Sequence, residues 1–425
     1  MIRRGDGKKR VAGGQAQCHS TAMKLADHQP RLTPNTAAVR PSVVLLALGG
    51  MATLATAMGI GRFVFTPLLP DLMEGLDLSP RDAGLIASAN YVGYLIGAVL
   101  AGLGWAAGRE RAVFAAALAA TTILLAAMPF GETVIGLSAI RFAAGVASAF
   151  AMIFCTTILL SHFDAAGRPN LQAVHFAGVG VGIMASALLL LGLDTVIADW
   201  TTGWYVAALM ALVGTFTAFA LVRVGPVRNG AQKHEPPLAW DGKLTAISIA
   251  YGLFGFGYIV TATFLVAIVR GEAGQSSLEG LVWLVTGLAA AFSVLLGAPL
   301  VKRFGLAATF SIGCIVEAAG VAASVLVAAP IGPFVGGLFL GGTFVAITAY
   351  GLQIGRRLSP RAPRRALAVM TAAFGTGQTV GPLIAGFLAD RSGDYTSGSL
   401  VAALALVIAA LLALTAKPPP AGTQL

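Results

Sequence analysis

Twelve long apolar runs follow one another through the sequence, and they decide what the chain can fold into. A helix needs about 20 mostly apolar residues to cross a bilayer, and each run has roughly that length. Hydrophobic residues make up 57% of the chain and charged residues 11%, and the mean hydropathy is +0.82. Because the alternating pattern of a membrane β-barrel is absent, we predict an all-α membrane protein. The predicted transmembrane helices run over residues 43–69, 83–104, 112–129, 134–160, 171–193, 202–222, 244–269, 278–300, 306–329, 333–354, 366–389 and 398–416.

Basic residues are concentrated on one side of the predicted membrane. If the N-terminus is cytoplasmic, 23 of the 28 lysines and arginines fall in inner segments and three in outer loops, and the other two are Arg62 and Arg141. This bias follows the positive-inside rule and predicts a multi-pass protein of the inner (plasma) membrane with both termini in the cytoplasm. The net charge of +10 therefore does not indicate a nucleic-acid partner. The first outer loop is instead acidic, with Asp71, Glu74, Asp77 and Asp82.

Both ends of the chain are polar. Residues 1–42 are basic and lack the apolar stretch of a signal peptide, so we expect a disordered cytoplasmic tail. Met23 is an alternative start to Met1. Residues 417–425 form the C-terminal tail.

The longest polar connection between predicted helices covers residues 223–243 and contains Pro and charge without periodicity. We interpret it as a cytoplasmic linker between an N-terminal half, residues 43–222, and a C-terminal half, residues 244–416. Each half then has six helices.

Two weak internal matches support this division. GIGRFVFTPLL, which starts at Gly59 in the first predicted helix, aligns with GFGYIVTATFL, which starts at Gly255 in the seventh, so that Arg62 falls on Tyr258. HFAGVGVGI of the fifth helix aligns with MTAAFGTGQ of the eleventh. The order of the matches predicts parallel halves related by an axis along the membrane normal.

These features resemble the major facilitator superfamily. RFAAGVASA, residues 141–149, is similar to its fourth-helix motif, and FGTGQTVGPLIAGFLADR, residues 374–391, to its Gly-Pro pattern in the eleventh helix. GIGRFVFTPLLPDL, HFAGVGVGI and YGLFGFGY are similar to the YbfB/YjiJ-type branch of uncharacterised bacterial transporters. The resemblance covers residues 43–416 and implies secondary active transport by alternating access between two pseudo-symmetric halves.

The signature loop after the second helix departs from the family pattern. The matching stretch is AGLGWAAGRER, with Trp105 and Ala106 in place of the expected Asp-Arg, while Gly108 and Arg109 remain. In the family that Asp helps to latch the halves on the cytoplasmic side, and the resemblance places Arg109 at this gate. We therefore expect another latch or a weaker one.

Arg62 is the most informative charged residue inside a predicted helix, where an arginine costs about 2.5–3.5 kcal/mol. On one interpretation it faces a central water-filled cavity and binds an anionic group of a substrate through two hydrogen bonds. On the other it lies in the outer part of its helix and either snorkels to the surface or pairs with an acid of the first outer loop such as Asp71.

Three further ionisable residues are candidates for coupling or gating. For Arg141 the resemblance implies proton coupling or substrate contact, and the alternative is a structural arginine that hydrogen-bonds carbonyls of neighbouring helices. His175 could relay protons or be a satisfied interfacial residue. Glu317 could carry the coupling proton, but its helix is peripheral in the family, which favours a structural role.

Polar and aromatic residues on other helices complete the predicted substrate site near the middle of the membrane. They are Asn90, Tyr94, Tyr258, Tyr350 and Gln378. With two buried arginines and one buried acid, these residues predict a small organic substrate that is anionic.

Other function classes find little support in the residues. No nucleotide-binding or metal-ligand motif is present, so we expect no cofactor and no metal. A proton-coupled antiporter that exports drugs or metabolites remains the alternative within transport, and a membrane-embedded enzyme or a transporter-like sensor is the remote one. We expect a monomer whose partners are the lipid bilayer, a small-molecule substrate and, for coupling, protons.

Overall fold

A computed structural model describes residues 42–193, 199–227, 235–273 and 276–417. Within them it contains twelve helices long and apolar enough to span a membrane, which confirms the predicted number. We number these α1 (Val43–Leu76), α2 (Pro80–Gly102), α3 (Glu110–Phe130), α4 (Val134–Ala165), α5 (Pro169–Gly192), α6 (Trp200–Leu221), α7 (Gly242–Glu272), α8 (Ser277–Phe304), α9 (Leu306–Leu326), α10 (Ile331–Leu358), α11 (Pro363–Ser392) and α12 (Thr396–Thr415).

Several helices are longer than the apolar runs that predicted them. Helix α1 continues to Leu76 instead of residue 69, and α4 continues to Ala165 instead of residue 160. The added turns include acidic residues such as Asp71, Glu74 and Asp164, and a helix keeps its backbone hydrogen bonds after its side chains reach water. Hydropathy therefore located the membrane part of each helix and not its end.

The predicted tail of residues 1–42 lies outside the described residues except for its last position, and so do residues 418–425. In the predicted linker, residues 223–227 and 235–241 carry no helix. The Glu235 carboxylate accepts hydrogen bonds from the backbone N–H groups of Arg364 and Arg365 at the start of α11. A carboxylate at this position satisfies free donors at a helix N-terminus.

The helices pack as two sets of six. Within each set the first helix packs against the fifth and sixth, and the second and third pack against the fourth. Between the sets, α5 packs along α8 and α2 packs along α11. Because α11 corresponds to α5 and α8 to α2, these two contacts are equivalent, which fits pseudo-symmetric halves.

The glycines of the internal repeat occupy equivalent contacts inside the halves. A Cβ on Gly182 of α5 would overlap the carbonyl oxygen of Ala55 in α1. A Cβ on Gly377 of α11 would overlap the carbonyl oxygen of Gly252 in α7. Only glycine permits such close approach of two helix backbones.

The other aligned pair faces the opposite half. A Cβ on Gly180 would overlap the backbone of Ala291 in α8, and a Cβ on Gly375 would lie 2.9 Å from the Leu95 side chain in α2. The four glycines therefore explain the weak sequence match, because each serves the same contact in both halves.

The two ends of the bundle differ in charge. The acidic end carries Asp71, Glu74 and Arg270, and the basic end carries Arg109, Arg111 and the linker. Helix α2 connects one end to the other, and its 23 residues make it about 35 Å long.

Candidate functional site

Helix α1 is interrupted where the sequence places Arg62. Residues Ala55–Ile60 form a π-helical segment, and the Phe63 N–H bonds to the Met58 carbonyl, five residues back, at 3.0 Å. The Thr66 N–H bonds to the Phe63 carbonyl at 3.2 Å, one residue short of the α-helical partner, Arg62. The Arg62 carbonyl is consequently free to accept a hydrogen bond from another helix.

Local sequence favours this interruption. Gly59 and Gly61 lower the helix propensity of the segment. Pro67 has no N–H, and its ring crowds the carbonyl of Phe63 four residues earlier. Single π-helical turns inside α-helices are often found at functional sites.

Arg141 of α4 stabilises the interrupted segment. Its Nη1 donates to the Gly61 carbonyl at 3.3 Å and its Nη2 to the Arg62 carbonyl at 3.1 Å. The guanidinium also lies 4.7 Å from the centre of the Phe65 ring. Asn90 of α2 donates in turn to the Arg141 carbonyl at 2.9 Å. Arg141 therefore makes the carbonyl contacts expected of a structural arginine, and Asn90 supports its backbone.

The Arg62 side chain itself is buried, with 2% of its surface exposed. Its guanidinium lies between the rings of Tyr91 and Tyr94, 4.6 Å and 4.5 Å from their centres. Nε and Nη2 have no hydrogen-bond partner. Asp71, the acid considered as its partner, is bound to Arg270 instead. In the part of the chain that the structure describes, no ion pair reaches Arg62.

The two free donors of Arg62 have a defined geometry. Nε and Nη2 lie on the same edge of the planar guanidinium and point in parallel, which matches the two oxygens of a carboxylate. The tyrosine rings pack against the guanidinium, and the Nε–Nη2 edge is where its buried donors lack a partner. Arg62 is thus arranged to bind an anion in a bidentate manner.

Aromatic side chains of the other half lie next to this position. The Phe63 ring meets the Phe344 ring of α10 edge to face at 5.8 Å. Phe344 stacks on Tyr258 of α7 at 5.6 Å, and Tyr258 stacks on Phe374 of α11 at 5.6 Å. The rings of these last three residues are within 11° of parallel in each pair. Tyr258, predicted from the repeat, is therefore close to the Arg62 position, across the boundary between the halves.

Gln378 of α11 extends this wall. Its amide hydrogen-bonds the Tyr258 hydroxyl, and its Oε1 has no partner although the side chain is fully buried. Buried amide oxygens without partners are rare in folded proteins. Two unpartnered polar groups of opposite character, the Arg62 donors and this acceptor, accordingly belong to one region.

Two predicted residues lie elsewhere. The Tyr350 hydroxyl has no hydrogen-bond partner and lies against Gly297 of α8, where a Cβ would overlap it. Arg109 is exposed, and its Nη2 donates to the Trp105 carbonyl at 3.3 Å in the loop after α2. Neither residue contacts the Arg62 region.

His175 and Glu317 are fully buried in separate places. His175 Nε2 pairs with the Thr156 hydroxyl of α4 at 2.9 Å, between helices of the N-terminal half. Glu317 accepts a hydrogen bond from Thr343 of α10 at 3.0 Å, so it joins two helices of the C-terminal half. Each residue makes a contact between helices of its own half.

A charge cluster at the acidic end was not predicted from the sequence. Arg270 of α7 binds Asp71 at 3.0 Å and Glu74 at 3.1 Å, both on α1. Its Nη2 also donates to Glu279 of α8 at 2.9 Å, and its Nε makes a second bond to the same carboxylate. The available signal was that Arg270 is one of only three basic residues in the predicted outer loops. This cluster joins the two halves.

The loop that departs from the family signature packs against the N-terminal half. The Trp105 ring packs on Phe150 and Phe154 of α4, with centres 5.8 Å and 6.3 Å away. Its indole N–H donates to the Leu100 carbonyl at 2.9 Å and closes the end of α2. Trp105 thus holds the loop to its own half.

Comparison with known proteins gives the family. The family model described as "Uncharacterised MFS-type transporter YbfB" matches residues 54–414. The uncharacterised MFS-type transporter YceJ of Bacillus subtilis (strain 168) is 26% identical over 354 residues, which cover 78% of this chain and 86% of that protein.

Solved structures show the same fold. The nucleoside transporter NupG superposes with a TM-score of 0.67 at 14% identity, over 88% of this chain and 98% of that one. A bacterial homolog of the human lysosomal transporter Spinster, in an inward-facing and unoccupied conformation, gives a TM-score of 0.66 at 17% identity, over 88% and 96%. At these identities the likeness concerns the fold. With the family match covering most of its length, the chain belongs to the YbfB-type family of the major facilitator superfamily, a family of multi-pass membrane transporters and not of enzymes.

Proposed function

We propose that this protein is a secondary active transporter that carries a small organic anion across the inner membrane by alternating access, with both termini in the cytoplasm. Arg62 binds the anionic group of the substrate. The observation that carries the proposal is the pair of buried, unpartnered donors Nε and Nη2 on this arginine. A buried charge without a counter-ion is costly, and a substrate anion supplies the missing partner.

Contacts between the halves support the alternating-access part of the proposal. Ser88 of α2 donates to the Thr379 carbonyl of α11 at 2.8 Å, and the Tyr91 hydroxyl of α2 lies 3.3 Å from the Thr263 hydroxyl of α7. These bonds and the Arg270 cluster lie between the middle of the bundle and the acidic end. They form a closed gate that has to separate before a substrate can reach Arg62 from that side.

A ligand screen tests the proposal. The purified full chain is heated with a panel of organic anions, organic cations and neutral nucleosides, and the shift of its melting temperature is measured. We expect one or more anions to stabilise the wild type and to lose this effect in Arg62→Ala. Arg81→Ala, which removes an exposed arginine at the start of α2, is the matched control and should keep the wild-type response.

Stabilisation by cations or neutral nucleosides alone contradicts the anion site, as does an equal anion response in Arg62→Ala. Uptake of the identified anion into proteoliposomes, with and without a pH gradient, then measures proton coupling. Accumulation above equilibrium only with the gradient supports coupling. Equal uptake in both conditions argues against it.

A further inference from the structure

We infer that the substrate is an aromatic monocarboxylate whose ring bears a hydrogen-bond donor and which has no ammonium group. The inference rests on the proposed function and specifies the ligand of the Arg62 site. It combines the free donors of Arg62, the aromatic contact across the halves and the free acceptor of Gln378.

The first step concerns the anionic group. The free edge of Arg62 offers two parallel donors, which is the arrangement that a carboxylate binds. Arg141 does not offer a second parallel pair of free donors, because its Nη1 and Nη2 donate to carbonyls of α1 and only its Nε lacks a partner. One guanidinium is thus available, and a group with a single negative charge balances it. A carboxylate has that charge at neutral pH, whereas a phosphate monoester carries nearly two.

The second step concerns the body of the substrate. Phe63 follows Arg62 in the chain, and its edge-to-face contact with Phe344 crosses the boundary between the halves. When the halves separate, this contact is lost, and a flat ring attached to the bound carboxylate can take its place between the two phenylalanines. Aromatic pairs are favoured over equal apolar area by their ring electrostatics. The adjacent stack of Phe344, Tyr258 and Phe374 keeps the receiving wall rigid.

The third step concerns polar groups on the ring. Gln378 Oε1 is a buried acceptor without a partner, and it needs an O–H or N–H donor from a ligand. Neutral donors fit this position. An ammonium group would need a carboxylate, and the described carboxylates lie in the Arg270 cluster, at Glu317 and near helix ends or in the connections between helices. Zwitterionic amino acids are therefore expected to bind weakly.

A set of matched compounds tests the inference on the purified full chain. Dissociation constants are measured for para-hydroxybenzoate, benzoate, cyclohexanecarboxylate, phenylalanine, phenyl phosphate and benzamide. We expect para-hydroxybenzoate to bind about 3- to 10-fold more tightly than benzoate, from one added hydrogen bond. Benzoate should bind more tightly than cyclohexanecarboxylate by a similar factor, because its aromatic ring contacts the phenylalanine rings. Phenylalanine, phenyl phosphate and benzamide should bind at least tenfold more weakly than benzoate.

Variants assign each preference to its residue. Gln378→Leu should remove the preference for para-hydroxybenzoate over benzoate, so that the two compounds bind with equal affinity. Phe344→Leu should remove the preference for benzoate over cyclohexanecarboxylate. Arg62→Lys keeps the charge but not the parallel donors, and it should lower the affinity for all carboxylates. Arg81→Lys is the control at an exposed arginine.

The outcomes separate this inference from the proposed function. Equal affinity for benzoate and cyclohexanecarboxylate overturns the aromatic assignment while an Arg62-dependent anion site stands. Tighter binding of an aliphatic anion than of benzoate, if it requires Arg62, likewise overturns the aromatic assignment and leaves the anion site standing. If benzamide binds and neither a carboxylate nor phenyl phosphate does, both proposals fail. A Gln378→Leu variant that keeps the preference for para-hydroxybenzoate overturns the assignment of the ring donor.

Discussion

Replacing Arg62 by methionine should raise stability without ligand and abolish stabilisation by ligand. Placing an arginine in the middle of a transmembrane helix costs about 2.5–3.5 kcal/mol. Its cation–π contacts with the Tyr91 and Tyr94 rings stabilise the folded protein by about 1 kcal/mol each. Methionine is unbranched and keeps sulfur–aromatic contacts with both rings, which offsets part of that loss. The net gain is about 1–2 kcal/mol.

Ligand binding should reverse the order of stability. At a ligand concentration 100 times the dissociation constant, binding stabilises a protein by about 2.7 kcal/mol. The wild type gains this amount and Arg62→Met gains none. The variant should therefore melt about 2–6 °C higher than the wild type alone and below it with saturating anion.

Buried cysteines provide the assay. Cys155 of α4 and Cys314 of α9 are free and fully buried, so a thiol-reactive fluorescent dye labels them only on unfolding. A Cys18→Ser background removes the third thiol of the chain. Arg81→Met controls for loss of a positive charge at an exposed site. An Arg62→Met protein that is less stable than the wild type without ligand would show that Arg62 is structural, and an unchanged ligand response would refute its role in binding.

Three other perturbations follow from the same contacts. Arg141→Met leaves two carbonyls of α1 without their donors and should cost about 2–4 kcal/mol of unfolding free energy; a melting temperature equal to that of the wild type would contradict the structural role. Glu279→Gln weakens the Arg270 cluster and should shift the population of molecules towards a state that is open at the acidic end. The opening is measured as a longer distance between spin labels at Phe130→Cys and Ile331→Cys. Glu132→Gln, which changes an exposed carboxylate, should leave that distance unchanged. Gly182→Ala forces α1 and α5 apart and should cost about 1–3 kcal/mol in thermal unfolding, while Gly342→Ala, where a Cβ meets nothing within 4 Å, should be neutral; equal effects of the two substitutions would argue against the close helix contact.

The candidate site was only partly predictable from the sequence. Arg62 and Tyr258 emerged from their alignment in the repeat, and the structure places both at the boundary between the halves. Phe344 and Phe374, which flank Tyr258, were not singled out. An apolar ring inside a transmembrane helix has the same signature whether it faces lipid, another helix or a site.

The partners of the charged residues were the least predictable feature. Asp71 was considered for Arg62, yet it binds Arg270, which is 199 positions away in the chain. Arg270 lay at the edge of a predicted outer loop, and no pattern in the sequence indicated its partners. Its role as a bridge required the relative position of α1, α7 and α8.

The sequence alone determined that this chain crosses the membrane twelve times, because the bilayer imposes an apolar composition on each helix separately. It also contains the repeated glycines, which indicate close contacts between helix backbones because such contacts exclude every larger residue. The tertiary structure decided which carbonyls Arg141 satisfies, which acids Arg270 binds and that Arg62 keeps two donors free. These outcomes depend on how each helix is rotated and shifted against neighbours distant in the chain, and local composition does not encode that geometry.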